Sequence, residues 1–411
     1  MRLSCCILVK NEIDNLADCL ASVRDVVDEM VVLDTGSTDG TPDLARSLGA
    51  DVYSFEWCDD FAIARNVSLT YATGDWVLVL DADERLNPAI APRLRDSMAV
   101  DDHLVVNLVR QEIGAVQSPY SLVSRLFRKH PEIRFSRPYH AMVDDSVAGL
   151  MQRDPHWKIV SLPEVAIFHY GYAPGAIASR NKQEKARLTM ERFLVTHPGD
   201  PYVCSKLGAL YVDMGRMQHG VELLERGLKA SSIDPSVQYE LHYHLGIAYT
   251  RQKHLPQAAS HYQQAIAQPI LPTLKLGALV NLGTLRQNTG DWAGAQSLYE
   301  QAIKIAPQFA IAHYNLGMAL KAQGNLTQAV EHYQQAIALN PAYAQAHQNL
   351  GVALLKLGRV EEGLNAFQDA IQLYQLHNAQ EAERLLQGLE RMGFPIAHPQ
   401  QHPNSEPTAK R

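Results

Sequence analysis

The sequence predicts an α/β N-terminal domain, Rossmann-like with a mostly parallel sheet, followed by an all-α solenoid of paired helices. Two observations carry that reading. Between Leu3 and Leu80, short runs rich in Val, Ile and aromatic residues alternate with segments of helical periodicity. From about residue 199 such runs stop, and a Leu-Gly pair returns at intervals of 38, 37, 34 and 34 residues. Strand–helix–strand alternation implies right-handed crossovers and parallel pairing, whereas a period near 34 marks a stacked helical repeat.

The expected strands are Leu3–Val9, Glu29–Asp34, Asp51–Phe55 and Trp76–Leu80. The last is apolar throughout, as in a strand covered on both faces. Cys5 and Cys6, adjacent in the first strand, should face opposite sides of the sheet as buried thiols. Leu16, Leu20 and Val23 follow at helical spacing. Thr41-Pro42-Asp43 reads as N-cap, N1 proline and acidic first turn, and Asn87-Pro88 opens another helix in the same way.

The repeat pairs are Leu207-Gly208, Leu245-Gly246, Leu282-Gly283, Leu316-Gly317 and Leu350-Gly351. The clearest unit runs His313, Leu316, Gly317, Leu320, Ala329, Tyr333, Ala336 and Pro341, the pattern of a tetratricopeptide repeat. The first and last units are looser, with Gly220 and Gly363 where alanine is usual, as in the terminal units of a solenoid. The expected boundaries are 1–180 for the α/β domain, 181–198 for a connecting helix or half-repeat, 199–377 for about five repeats, 378–394 for a capping helix, and 395–411 for a disordered tail. His313, Asn315, His347 and Asn349 should lie exposed on first helices, along a concave groove fit for a peptide or partner protein.

Composition narrows the function classes. The chain of 411 residues is 46% apolar and 20% charged, an ordinary globular balance. The net charge of −7 is uneven: residues 1–180 hold 17 Lys and Arg against 26 Asp and Glu, and residues 181–411 hold 20 against 18. Neither half has the basic excess of a nucleic-acid binder. No run of 18 apolar residues occurs, so no membrane span is expected. The N-terminal run lacks a small-residue cleavage site and reads as a strand, not a signal peptide. Five cysteines without metal-like spacing point to a reducing, cytoplasmic setting.

Ligands of a parallel sheet bind outside the carboxyl ends of its strands. Those ends carry Lys10-Asn11-Glu12, Asp34-Thr35-Gly36-Ser37-Thr38-Asp39-Gly40, Glu56-Trp57-Cys58-Asp59-Asp60 and Asp81-Ala82-Asp83-Glu84. Turn and cap chemistry explains Ser37, Thr38 and Asp39. It explains Asp81 and Asp83 poorly, because two carboxylates two apart after a buried strand repel unless a cation sits between them. A hard divalent cation whose shell is completed by phosphate oxygens would relieve that.

Val31–Thr41, Ala64-Arg65-Asn66 and Val79–Glu84 together resemble glycosyltransferase family 2. The run Trp57–Asn66, with Phe168-His169-Tyr170-Gly171-Tyr172 and the repeats, is similar to bacterial tetratricopeptide-repeat glycosyltransferases, to about residue 377. The resemblance implies a GT-A fold and inverting transfer of a sugar from a nucleotide-sugar donor, a UDP-sugar, with Mg²⁺ or Mn²⁺ at the Asp-x-Asp motif. It places Asp34 and Glu12 at the nucleoside, Arg65 near base or diphosphate, and Asp81 at ribose or donor sugar. Asp83 would hold the metal, with His169 as a further ligand or else a core histidine. The acceptor would be a protein, peptide or glycan brought in by the repeats.

An inverting transfer needs a carboxylate beside the acceptor hydroxyl. Related sequences carry His-Glu after the Arg125–Arg128 segment, but this chain reads Tyr139-His140-Ala141-Met142-Val143-Asp144-Asp145. Asp144 is the expected substitute, with Asp145 behind it; ordinary loop residues are the alternative for both. A non-catalytic solenoid carrying a degenerate sugar-nucleotide domain is the competing reading. A nucleotidyltransferase is disfavoured because Lys10-Asn11-Glu12 supplies no Gly-rich triphosphate loop, and the first strand–helix turn lacks Gly-x-Gly-x-x-Gly, which excludes a dinucleotide enzyme.

Overall fold

A computed structural model describes residues 1–115, 117–171 and 180–394; the expected tail at 395–411 lies outside the described residues. The chain divides into two compact units, Met1–Ala278 and Leu279 onward.

The first unit is built on a sheet of eight described strands in the order β3-β2-β1-β4-β7-β6-β8-β5. β1 (Leu3–Val9), β2 (Glu29–Asp34), β3 (Asp51–Ser54) and β4 (Trp76–Asp81) are parallel. β5 (Glu84–Leu86), β6 (His103–Glu112), β7 (Tyr120–Arg128) and β8 (Lys158–His169) extend it as a mixed half: β7 is antiparallel to β4 and β6, β8 is parallel to β6, and β5 is antiparallel to β8. Strand alternation sorts the core into two layers. Leu3, Cys5 and Ile7 pack with Leu16, Leu20 and Val23 of α1 (Ile13–Val23) and Ala45 of α2 (Thr41–Ser47) on one face. Cys6, Val77 and Val79 pack with Ala62 and Leu69 of α3 (Phe61–Tyr71) on the other. Helix α4 (Ala91–Met98) joins the first layer through Leu94, and α5 (Asp144–Arg153) joins the second through Val147 and Leu150.

Two helix starts differ in detail from expectation. Gly40, at φ +85, is the cap of α2, and Thr41 is its first residue. The Thr41 hydroxyl instead donates to Asp39 Oδ1 at 2.6 Å and accepts the Glu12 N–H at 3.0 Å, tying the first two loops together. Asn87 does cap the turn at Pro88, accepting from the Ala89 N–H at 3.2 Å, but that turn is a short 3₁₀ segment leading into α4.

Helices follow the sheet: α6 (Arg180–Thr196), α7 (Pro201–Asp213), α8 (Met217–Gly227), α9 (Pro235–Arg251), α10 (Leu255–Ala267) and α11 (Leu276–Asn288), in which the second unit begins. Gly220 of α8 shows why the first repeat departs from alanine, since a Cβ there would come within 2.9 Å of the Gly208 carbonyl and 2.7 Å of Val212. Two glycines let α7 and α8 approach more closely than alanine allows.

The second unit continues with α12 (Trp292–Ile305), α13 (Ala310–Ala322), α14 (Leu326–Leu339), α15 (Ala344–Lys356), α16 (Val360–His377) and α17 (Ala379–Arg391). Tyr299 and Tyr333 fill equivalent places in successive repeats, both fully buried. The expectation that His313 and His347 are exposed is corrected. Both are buried, because each ring bonds through Nε2 to the carbonyl of a proline six residues back, Pro307 or Pro341, at 3.0 Å. Asn315 and Asn349 are half-buried, and Asn349 donates to the Tyr314 hydroxyl at 3.2 Å. His313, His347 and Asn349 thus bond within the solenoid itself.

Candidate active site

Pairing register brings the parallel strand ends to one rim. Val9 lies opposite Asp34 and Leu8 opposite Asp81, so the loops after β1, β2 and β4 share an edge of the sheet. Asn11, held at φ +56 in the left-handed region, straps two of them: its N–H donates to Ser37 Oγ at 2.9 Å and its Oδ1 accepts the Thr38 N–H at 2.7 Å. Asp34 is buried, and its carboxylate accepts the amides of Gly36 and Ser37 at 3.2 Å. Glu12, after β1 on the same rim, stands at the N-cap position of α1, and its carboxylate accepts from Asn15 Nδ2 at 2.9 Å. Thus Glu12 and Asp34 share the rim, but Asp34 is also the keystone of its own turn.

Asp81 is held differently from the sequence expectation. Arg65 Nη2 reaches one of its oxygens at 2.7 Å and Arg125 Nη2 the other at 2.7 Å. Burial alone would raise its pKa, but Arg125 and Arg65 outweigh it and hold Asp81 far below the usual carboxylate range. Two arginines therefore relieve the repulsion with Asp83 that a cation was expected to relieve. Arg65 lies inside the domain, 5.3 Å from the Phe135 ring centre; burial and the charge of Arg125 pull its pKa to about 10. Among the described residues, its Nε and Nη1 have no hydrogen-bond partner.

The charge alternation continues across the sheet. Fully buried Glu84 accepts the Asp81 amide at 2.9 Å and pairs with Arg110 at 2.7 Å. Arg110 also bonds Glu112 at 2.9 Å, and Glu112 meets His169 Nδ1 at 2.5 Å. Three arginines face three carboxylates, so this part of the rim is internally neutral. Sequence reasoning assigned no role to Glu84, Arg110, Glu112 or Arg125. The available signal was the charge at the end of apolar strands, as where Leu104–Val109 is followed by Arg110 and Glu112.

Asp83 and His169 come together in the structure. His169 Nε2 is 3.3 Å from Asp83 Oδ2; Asp83 stands in the turn before β5, which pairs with β8 so that Glu84 lies opposite His169. Although burial opposes its charge, Asp83 and Glu112 raise the His169 pKa to about 9. The backbone of Gly171 runs against the pair: a Cβ there would lie 2.6 Å from His169 Nε2 and 3.2 Å from Asp83 Oδ2. Among the described residues no group of three or more His, Cys, Asp or Glu side chains is arranged to hold a metal. Asp83 and His169 amount to two ligands, which suits a hexacoordinate ion whose remaining positions come from phosphate and water. The Glu112 carboxylate behind His169 Nδ1 is the support a metal-binding imidazole usually has.

The acceptor-side candidates separate. Asp144 opens α5 half-buried, accepting from Ser124 Oγ at 3.0 Å, and burial raises its pKa. Asp145 is exposed and committed to Arg137 at 2.5 Å and to Ser136 at 2.5 Å. Asp144 has the raised basicity of a proton acceptor.

The model of Glycosyl transferase family 2 matches residues 4–160, and Tetratricopeptide repeat models match 205–271, 280–333 and 344–375. A TPR repeat-containing protein of Synechococcus elongatus is 44% identical over 306 residues, covering 74% of this chain and 76% of that protein. The prophage-derived glycosyltransferase SunS of Bacillus subtilis is 30% identical over 207 residues, covering 48% of this chain and less than half, 46%, of its own length. Among solved structures, the TPR protein YrrB aligns with 50% of this chain and all of its own at 16% identity, with a TM-score of 0.40. No described helix is long and apolar enough to cross a membrane.

Proposed function

The chain belongs to the tetratricopeptide-repeat proteins with an N-terminal family 2 glycosyl transferase domain, and on that premise we propose that it is a metal-dependent, inverting glycosyltransferase. Its donor is a nucleotide sugar, a UDP-sugar, and its acceptor a protein, peptide or glycan engaged by the repeats. The observation that carries the metal is the Asp83–His169 pair beside a rim whose arginines are already matched by carboxylates. A diphosphate arriving there meets arginines already matched by carboxylates and an Asp83 already matched by His169, so binding calls for added positive charge. Asp83 and His169 would hold Mg²⁺ or Mn²⁺, which would supply that charge to the leaving diphosphate; a mixed carboxylate and imidazole set would suit Mn²⁺.

The remaining roles follow from position. Glu12 and Asp34 hold the nucleoside at the ends of β1 and β2. Asp81 keeps a solvent-facing edge, with spare lone pairs for a ribose or sugar hydroxyl, while Arg65 and Arg125 fix its orientation. Asp144 takes the proton from the acceptor hydroxyl as that oxygen bonds to the anomeric carbon. The carbon–phosphate oxygen bond breaks on the opposite face, its electron pair leaves with the nucleoside diphosphate, and the configuration inverts.

Calorimetry with UDP in Mn²⁺ and then in EDTA tests the reading. Binding in Mn²⁺ that disappears in EDTA and in Asp83→Ala is expected. Equal affinity in all three conditions refutes the metal role.

A further inference from the structure

The first repeat stands at the chemistry. Arg137, in the loop before Asp144, is gripped by Asp145 and by Asp200, the cap of α7, at 2.5 and 2.7 Å, and its guanidinium lies 5.3 Å from the centre of the Tyr202 ring. One turn on in α7, the Lys206 ammonium lies 5.2 Å from the same ring centre and contacts both oxygens of Glu240 in α9 at 2.7 Å. Ser205 donates to the same carboxylate at 3.2 Å. Burial works against both charges, but each partner outweighs it, so the pair stays ionised. Burial raises the Tyr202 hydroxyl pKa, and Lys206, Glu240, Asp144 and Arg137 all lie near enough to act on it. His140 is open to solvent yet ringed by protein that keeps it neutral, with Lys206, Glu240, Arg110 and Asp81 as its charged neighbours. The charged rim, the candidate base and the first helices of the first two repeats, α7 and α9, are thus near neighbours.

We propose that Tyr202, Lys206 and Glu240 form the acceptor subsite, and that it takes a sugar residue whose nucleophilic hydroxyl is presented to Asp144. The inference rests on the glycosyltransferase reading, and it makes the first repeat part of the active site rather than a remote recruiting platform. The lining favours a sugar over a peptide. A fixed ammonium–carboxylate couple offers several donors and acceptors a few ångströms apart, matching neighbouring hydroxyls, and a tyrosine ring supplies a flat face for the C–H side of a pyranose.

Saturation-transfer NMR with p-nitrophenyl glucoside and galactoside on the full chain, without donor, tests the subsite directly. UDP calorimetry in Mn²⁺ on the same samples tests the underlying reading separately. The expected result is glycoside binding that weakens about tenfold to a hundredfold in Lys206→Gln and Glu240→Gln, the loss typical of hydrogen bonds to charged groups, with UDP affinity unchanged. A double variant with Lys206→Glu and Glu240→Lys keeps the ion pair, and with it the packing, and should bind the glycosides equally poorly. Glycosides that bind all variants alike, or do not bind the wild type, overturn the proposal, as does binding of Ser- and Thr-containing peptides in their place. Loss of UDP binding alone, with glycoside binding and its variant dependence intact, overturns the donor reading and leaves the sugar subsite standing.

Discussion

His169 presents Nδ1 to Glu112 Oε2 at 2.5 Å, and that contact turns its other ring nitrogen toward Asp83. The Glu112→Gln substitution should therefore weaken Mn²⁺-dependent UDP binding about 10–100-fold, the usual effect of removing a carboxylate behind a metal-binding histidine. Electron paramagnetic resonance of bound Mn²⁺ would read the affinity. Unchanged Mn²⁺ affinity would assign His169 to the packing of β5 against β8.

Asp81→Asn should act first on stability. It leaves Arg65 and Arg125 with a neutral partner in a buried setting, at a cost of about 3 kcal/mol, the low end for a broken buried pair because the carboxylate keeps an exposed edge. Urea denaturation measures it. If the variant is as stable as wild type but loses UDP affinity, Asp81 serves the donor more than the fold.

Asp34→Ala should separate the two demands on that residue. Losing the acceptor for the Gly36 and Ser37 amides should cost about 1 kcal/mol, as for a lost cap, so the domain should stay folded. UDP affinity should fall in the folded variant. A large drop in melting temperature without ligand would make Asp34 structural.

Asp144 gives a prediction with opposite signs for rate and stability. Asp144→Asn should lower transfer about 10²–10⁴-fold and leave UDP affinity intact. Because burial raises the native pKa, the charged form is the costly one, so the variant should be at least as stable as wild type at neutral pH. That advantage should shrink as pH falls through the raised native pKa and the wild-type carboxyl takes up its proton. The acid limb of wild-type activity should correspondingly lie above the ordinary carboxylate range. Asp145→Asn, which leaves Arg137 its bond to Asp200, should transfer at near wild-type rate.

Truncation should respect packing more than sequence grammar. A chain ending at residue 180 loses Asp200 from Arg137 and strips Tyr139 of its contacts with the helices that follow, whereas the first compact unit runs to Ala278. Residues 1–278 should bind UDP with wild-type affinity, and residues 1–180 should melt at a lower temperature. Equal melting temperatures would count against an integrated first repeat.

The parallel half of the sheet was legible because its strands are short, apolar and punctuated by caps, and the solenoid because its period survives in the Leu-Gly pairs. The mixed half was not. β6, β7 and β8 interleave apolar residues with Arg110, Glu112, Arg125 and His169, charges that obscure a strand in one dimension and find partners only across the folded sheet. Among the candidate site residues, the sequence singles out Asp83 as part of a motif and His169 as its distant companion; their 3.3 Å separation and the carboxylate behind the ring are visible only in the structure. The pairing of Asp81 with two arginines was invisible, because one partner stands 16 residues before it and the other 44 after. His313 misled the reading because a polar residue on a repeat helix looks exposed until its bond to the Pro307 carbonyl is seen.

The same separations bear on the order in which the chain becomes competent. Glu112 and His169 meet across 57 residues, and Arg125 reaches Asp81 across 44. A nascent chain that has emerged only through β4 holds a carboxylate poised for burial with one of its two guanidinium partners still unsynthesised. Closure of the rim must await the last strand, so long-range contacts set the pace of assembly. Competence to grip a nucleotide should then appear in a single late step, and a stalled or clipped intermediate would be inert toward the donor pool.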